Sequence, residues 1–296
     1  PEDSRKTCAF IRNSIGIQQG KDPSTAAISF HWSAEGSQPA DFFRSEGGWL
    51  WPLHGILLGE RLLLFFMRVR SPEAGRSGAI QEWMESDSLS FFEVYGWAGF
   101  AISNPGAPPE DWNKEELDTP TNEIGIVFGA GVLLEEDRLY AWGWTQERDG
   151  FLARWRAEDA EAGELRKIEW WSGDGRWEAQ PDPGGVALPQ AQTEFTVHRD
   201  PRTGLLFQTQ AMGLSPSDLT IRSAPQPEGP WTEPQAFFRI PESERPGVIG
   251  YAGKAHPHLE GADLAFTYAS NGDTAEITLD DESIYYPRFV RAGLEA

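Results

Sequence analysis

The sequence is poor in cysteine, in basic residues and in long apolar runs, and each shortage excludes a class of protein. A single cysteine, Cys8, excludes a framework of intrachain disulfides. Lys and Arg number 25 against 46 Asp and Glu, and the net charge of −21 would repel nucleic acids and anionic membranes. The apolar run RLLLFFMRV at 61–69 is too short to span a bilayer. We therefore expect neither a nucleic-acid nor a membrane partner.

Helical patterns are scarce as well. Apolar residues do not recur at helical spacing over any long window, and 31 Gly and 22 Pro interrupt the chain. Only 110–118 and 157–167 fit short helices. The 13 Trp, 17 Phe and 6 Tyr can nevertheless fill a sizeable core. No export leader is recognisable at the start, and we expect an extracellular or periplasmic location with any signal segment outside this sequence.

A pair of strands recurs four times along the chain. Each pair joins a segment of small or polar residues, through a Gly or acidic turn, to a strongly apolar strand. The pairs begin near residues 51, 128, 193 and 251, and a third strand with Arg and small residues follows most of them. A repeat of three or four antiparallel strands favours propeller blades, and two stacked sandwiches are the alternative.

We predict an all-β, five-bladed propeller that forms a single domain over residues 1–296. The segments FIRNSIGIQQG and AAISFHWSAEG fit the third and fourth strands of a first blade, whose other two strands the sequence lacks. The expected blade boundaries are 8–45 for this partial blade and 49–105, 124–180, 190–241 and 249–293 for the complete ones.

Ionisable residues gather on the predicted innermost strands. Side chains alternate between the faces of a strand, so Glu194 and His198 share one face. Further ionisable residues on these strands are His54, Lys254, His256 and His258. We expect these side chains to meet in one cavity at the axis, where propellers bind their ligands. The alternative is a polar core whose members hydrogen-bond between blades.

Several segments resemble a known group of propellers. TEFTVH, LTIRSAPQPEGPWTEPQAFF, YAGKAHPHL with LAFTYASN, and YYPRFVR are similar to the later blades of five-bladed propellers of the domain-of-unknown-function 4185 type. Those proteins resemble the glycosidase propellers of glycoside hydrolase families 43, 32 and 183. The resemblance covers roughly residues 10–296. It implies a glycoside hydrolase that acts on furanoside-containing poly- or oligosaccharides, with arabinofuranose linkages as the leading candidate.

The resemblance also implies roles for individual residues. Glu194 matches the general acid, and His198 lies beside it as a second catalytic candidate. Hydrolysis needs a second carboxyl group, which the resemblance implies on the first-blade strands that this sequence lacks. Candidate substrate-binding residues, by motif position, by place on an innermost strand or by stacking chemistry, are Arg12, Asn13, Trp51, His54, Tyr251, Lys254, His256, His258 and Arg288.

Other interpretations stay open. A carbohydrate-binding propeller without catalysis would need no second carboxyl group, and a scaffold for protein partners would expose an apolar patch. The arginines and histidines could equally pair between blades. Two imidazoles of His-x-His share a face, so a metal near His198, His256 and His258 is chemically reasonable. We expect no cofactor, and a monomer whose partner is a carbohydrate.

Overall fold

The chain folds into antiparallel sheets arranged as a propeller. The structure is a computed structural model that describes residue 5, residues 8–71 and residues 92–293. It contains four blades, so the all-β propeller is confirmed and the predicted number of five is wrong. Ahead of Trp49 the described residues form two short hairpins instead of a blade. None of the helices within residues 8–71 and 92–293 has the length and apolar character needed to span a bilayer.

The two hairpins precede the first blade. Their strands are β1 (Ile15–Gln19) with β2 (Ala27–His31), and β3 (Ser33–Glu35) with β4 (Gln38–Ala40). Ile15 and Ile17 pack against buried side chains of the first blade. At the other side, Glu260 N donates to Lys21 O over 3.0 Å. The hairpin β1–β2 therefore contacts both the first blade and the last.

Each blade is a sheet whose strands follow one another in the chain. The first blade contains β5 (Trp49–Leu58), β6 (Arg61–Arg70), β7 (Glu93–Ile102) and β8 (Lys114–Leu117). The second contains β9 (Val127–Glu135), β10 (Arg138–Trp144), β11 (Asp149–Arg156), β12 (Glu169–Trp171), β13 (Trp177–Glu178) and β14 (Val186–Pro189). The third contains β15 (Thr196–Arg199), β16 (Leu206–Gly213), β17 (Ser217–Ala224) and β18 (Gln235–Arg239). The fourth contains β19 (Val248–His256), β20 (Leu264–Gly272) and β21 (Arg288–Ala292).

All four predicted strand pairs are present as antiparallel neighbours: β5–β6, β9–β10, β15–β16 and β19–β20. The helix predicted at 110–118 is wrong. Strand β8 lies there, with Glu116 opposite Phe100 of β7, because pairing with a sheet edge outweighs a weak helical preference. The helix predicted at 157–167 forms only over Ala157–Glu161. Further helices among the described residues are Ala275–Asp280 and two 3-10 turns at Pro109–Asp111 and Pro241–Glu244.

The innermost strands meet at the centre of the ring. Phe195 N donates to Ala130 O over 3.1 Å, and Lys254 Nζ donates to Leu53 O over 2.7 Å. Each of these bonds joins two different blades. Glycine allows the close approach, since a Cβ on Gly129 (φ +99°) would lie 2.2 Å from Cβ of Phe65. Glycine at position 129 is therefore needed where the second blade packs against the first.

Candidate functional site

A cavity of about 460 Å³ opens where the innermost strands begin. All four blades and the segment ahead of β1 contribute to its wall. The aromatic side chains of the wall are Phe10, Trp51, Phe92, Trp144, Tyr251 and Tyr285. Its polar side chains are Arg12, Arg148, Thr193, Glu194 and Asn271. A concave wall of flat rings with a few polar groups suits a ligand that has both apolar faces and hydroxyls.

Glu194 is the one carboxyl group that the described residues bring to this wall. The adjoining Phe195 is fully buried and bonded through its backbone N to Ala130 O, which fixes the position of Glu194 between two blades. Burial raises the pKa of Glu194, and the nearby charge of Lys254 offsets part of this effect. The carboxyl group therefore keeps its proton to a higher pH than an ordinary glutamate, as a general acid requires.

Lys254 acts on Glu194 through its charge but does not contribute to the cavity wall. Its ammonium group donates to the carbonyl oxygen of Leu53, so it links the fourth blade to the first. Burial lowers the pKa of Lys254, and the carboxyl group of Glu194 acts in the opposite direction. Lys254 therefore lowers the raised pKa of Glu194 without lining the cavity itself.

Arg12 and Asn13 have different positions. Arg12 lines the cavity, and its guanidinium lies 4.4 Å from the ring centre of Trp49. Asn13 is buried away from the wall, where its amide nitrogen donates to Phe43 O and Leu50 O. Its amide oxygen accepts a bond from Phe43 N over 2.7 Å. The amide of Asn13 is thus occupied by the backbone and fastens the segment that carries Arg12.

The histidines do not gather around Glu194, so the expectation of one shared cavity is wrong. His198 lines a separate groove with Asp200, Phe207 and Pro257. Glu194 lies in a bend just ahead of β15, whereas His198 lies within that strand. Burial lowers the pKa of His198, and the charge of Asp200 opposes this.

The other three histidines lie along the axis or beyond it. His54 is partly buried, and burial together with the charge of Lys254 lowers its pKa to about 3. His256 shares a hydrogen bond of 2.7 Å with Thr267 Oγ1, and burial lowers its pKa to about 4. His258 is exposed. Nowhere in residues 8–71 and 92–293 do three or more His, Cys, Asp or Glu side chains form a group that could hold a metal ion.

Arg288 is also outside the cavity wall. Its Nε lies 3.1 Å from Glu242 Oε1, and its guanidinium also donates to the carbonyl oxygen of Ser283. Tyr268 donates its hydroxyl proton to the same carboxyl group of Glu242. Arg288 therefore forms an ion pair within the fold, which was the structural alternative to a role in substrate binding.

Seven of the aromatic and polar residues of the wall were not predicted from the sequence: Phe10, Phe92, Trp144, Arg148, Thr193, Asn271 and Tyr285. Two of them have an unusual backbone, since φ is +65° at both Arg148 and Tyr285, and it is +53° at Ala252 beside Tyr251. Residues other than glycine rarely adopt this left-handed conformation, and such strain concentrates at functional sites. No sequence signal distinguishes these positions from ordinary loop residues.

Solved structures similar to this chain are propellers. A predicted hydrolase from Bacteroides ovatus ATCC 8483 is 16% identical, with a TM-score of 0.68 over 97% of this chain and 77% of the other. An exo-beta-1,3-galactanase from Phanerochaete chrysosporium is 11% identical, with a TM-score of 0.50 over 86% of this chain and 50% of the other. An exo-1,5-alpha-L-arabinanase from a bovine ruminal metagenomic library is 10% identical, with a TM-score of 0.47 and coverage of 94% and 90%. At these identities the likeness concerns the fold alone.

Sequence comparisons give a more direct result. No curated protein matches the chain. The resemblance to the domain-of-unknown-function 4185 type is not confirmed, because a different family model matches, over residues 1–293. The chain belongs to the family described as Domain of unknown function (DUF5005).

Proposed function

We propose that this protein is a glycoside hydrolase that binds a glycan in the cavity and uses Glu194 as the general acid. The observation that carries the proposal is a carboxyl group with a raised pKa in the wall of an aromatic cavity. In this position Glu194 would donate its proton to the glycosidic oxygen as the bond to the sugar breaks. Trp51 and Tyr251 would provide flat surfaces for the sugar rings.

Furanosides are the first substrates to test. The choice of furanosides rests on the resemblance of the later blades to glycosidase propellers, and arabinofuranose linkages are the leading candidate. The proposal gives His198 no contact with the substrate, because its groove is separate from the cavity.

A second candidate is a propeller that binds glycans without hydrolysing them. The observation that favours it is the single carboxyl group among the described residues of the wall. Hydrolysis by either common route needs a second carboxyl group to activate water or to attack the sugar. Binding needs only the aromatic surfaces and the polar groups around them.

Incubation with arabinans and other plant and bacterial polysaccharides tests both candidates. If the protein is a hydrolase, it releases sugars, and Glu194→Gln lowers turnover by about 10² to 10⁴ with little change in glycan affinity. Equal turnover by the variant would remove Glu194 from the mechanism. Tight binding without any product would support the second candidate, and a protein that binds no glycan would contradict both.

A further inference from the structure

The cavity wall differs in charge from the rest of the molecule. The whole chain has a net charge of −21, whereas the described residues of the wall include two guanidinium groups and one carboxyl group. That carboxyl group keeps its proton to a higher pH than usual, and the ammonium of Lys254 adds a positive charge that acts on it. A positive cavity in a negative protein attracts anions to one place on the surface.

Arg148 has the environment of a ligand-binding arginine. Most arginines elsewhere in the described residues form ion pairs, as Arg61 does with Glu115 and Arg239 with Asp218. The side chain of Arg148 is exposed, and it forms neither an ion pair nor a side-chain hydrogen bond with the residues that the structure describes. Partial burial lowers its pKa. Its guanidinium lies 5.6 Å from the ring centre of Trp144, inside the cavity wall.

The backbone at Arg148 is an independent observation. Arg148 is the last residue of the turn between β10 and β11, where its N donates to Thr145 O and its O accepts from Ala191 N. Its φ of +65° is the conformation that glycine adopts most easily. The turn therefore has an arginine at a position where glycine would be less strained. Local strain of this kind is common where a side chain serves a ligand.

We propose that the cavity selects an anionic sugar, a uronic acid or a sulfated sugar, and that the guanidinium of Arg148 binds its acidic group. A planar guanidinium offers two parallel N–H donors to the oxygens of a carboxylate or sulfate. Arg12 contributes a second positive charge on the same wall. The inference rests on the proposed function, because it requires that the cavity binds a glycan.

Binding to paired glycans tests the inference. Acidic plant and bacterial oligosaccharides are compared with the same compounds after reduction of their carboxylates to alcohols or removal of their sulfates. We expect the acidic form to bind the full chain about tenfold more tightly or better, the contribution of a charge-assisted hydrogen bond. A preference for the acidic member of the carboxylate-reduced pairs identifies a uronic acid, and a preference for the acidic member of the desulfated pairs identifies a sulfated sugar.

Arg148→Gly is the decisive variant because the turn conformation suits glycine, so the protein is expected to fold. It should reduce the affinity for the acidic form to within about twofold of the neutral form. Arg176→Gln is the matched control: it removes the same charge from an exposed loop, where Arg176 pairs with Asp174, and it should retain the preference. Neutral glycans that bind as well as acidic ones would overturn the inference but leave the proposed function intact. A preference that survives in Arg148→Gly would assign the selection to other residues and overturn the role of Arg148.

Discussion

The two ends of the innermost strands carry similar ionisable residues but have different environments. Where the strands begin, Glu194 is surrounded by aromatic rings and guanidinium groups. Toward their other end, His198 lies in a separate groove and His258 is exposed. The register of β5 shifts between Pro52 and Gly55, and that of β19 shifts between Tyr251 and Lys254. Such bulges redirect side chains, so the first residues of these strands face the cavity while the following ones face the axis. Period-two alternation alone therefore does not show which residues share a site.

The largest difference that we expect between the two ends is in catalysis. If Glu194 is the general acid, kcat should fall about tenfold per pH unit above the raised pKa of Glu194, because the acid form is lost. This decrease, the alkaline limb of the pH profile, should be absent in Glu194→Gln, because its residual activity does not depend on the proton of Glu194. Measurement of kcat between pH 4 and 9 gives the profile.

His198→Gln is the matched change at the other end of the strand. Since His198 lines the separate groove, we expect both kcat and the alkaline limb to match those of the unaltered protein. A large loss of kcat in His198→Gln, with the fold intact by circular dichroism, would show that the two ends act together. The distinction between them would then be wrong.

Asn13 tests how much the wall depends on the segment ahead of β1. The change Asn13→Ala removes three buried hydrogen bonds to Phe43 and Leu50, and we expect the free energy of unfolding to fall by about 3 kcal/mol. Substrate affinity should also fall, because Arg12 loses its support. Denaturant titration and glycan binding measure the two effects.

Asn104→Ala is the control, since the Asn104 amide also bonds to Asp111 O and Asn113 N but lies on an exposed loop remote from the cavity wall. We expect a loss of about 1 kcal/mol or less and unchanged glycan affinity. If the two variants lost the same stability and affinity, the anchoring role of Asn13 would be contradicted.

His54 tests the axis between the two ends. Its pKa is about 3 in the fold and about 6.5 in the unfolded chain. Below pH 6.5 the unfolded chain gains a proton that the fold excludes, so His54 lowers stability by about 1.4 kcal/mol per pH unit as the pH falls toward 3. The causes are burial first, and then the positive charges of Lys254, His256 and His258.

Urea titrations at pH 7, 6 and 5 measure this dependence. The decrease in stability should be smaller in His54→Gln than in the unaltered protein. His258→Gln, at an exposed position, should retain most of the decrease, because its charge is the smallest of the causes that lower the pKa of His54. Identical slopes for His54→Gln and the unaltered protein would show that another group controls the acid response.

Much of the fold could be predicted from local pattern. Turn signals and alternation identified the four strand pairs, because antiparallel hairpins are made from neighbouring residues. The helix at 110–118 was predicted wrongly because its structure depends on a distant partner, the edge of β7. The number of blades was also wrong, since the segments before Trp49 pair only with each other.

The site could be predicted only where it lies on regular strands. Trp51, Tyr251 and Glu194 line the cavity, and each lies in or just before an innermost strand that the repeat revealed. Arg148 and Tyr285 lie in loops, whose path depends on packing between blades and not on a local period. The roles of these residues stay predictions until the substrate is known.

The smallest expected effect is on stability at the turn that carries Arg148, and it separates backbone strain from ligand binding. Arg148 has φ of +65°, so Arg148→Gly should relieve strain and raise the free energy of unfolding by about 1 kcal/mol. Arg148→Ala removes the same guanidinium but keeps a Cβ in the left-handed conformation, so it should not gain stability. Denaturant titration of the two variants, compared at constant m-value, measures the difference. Equal stability of Arg148→Gly and Arg148→Ala would mean that the backbone at this turn is not strained. The backbone conformation would then no longer distinguish Arg148 from other arginines in loops.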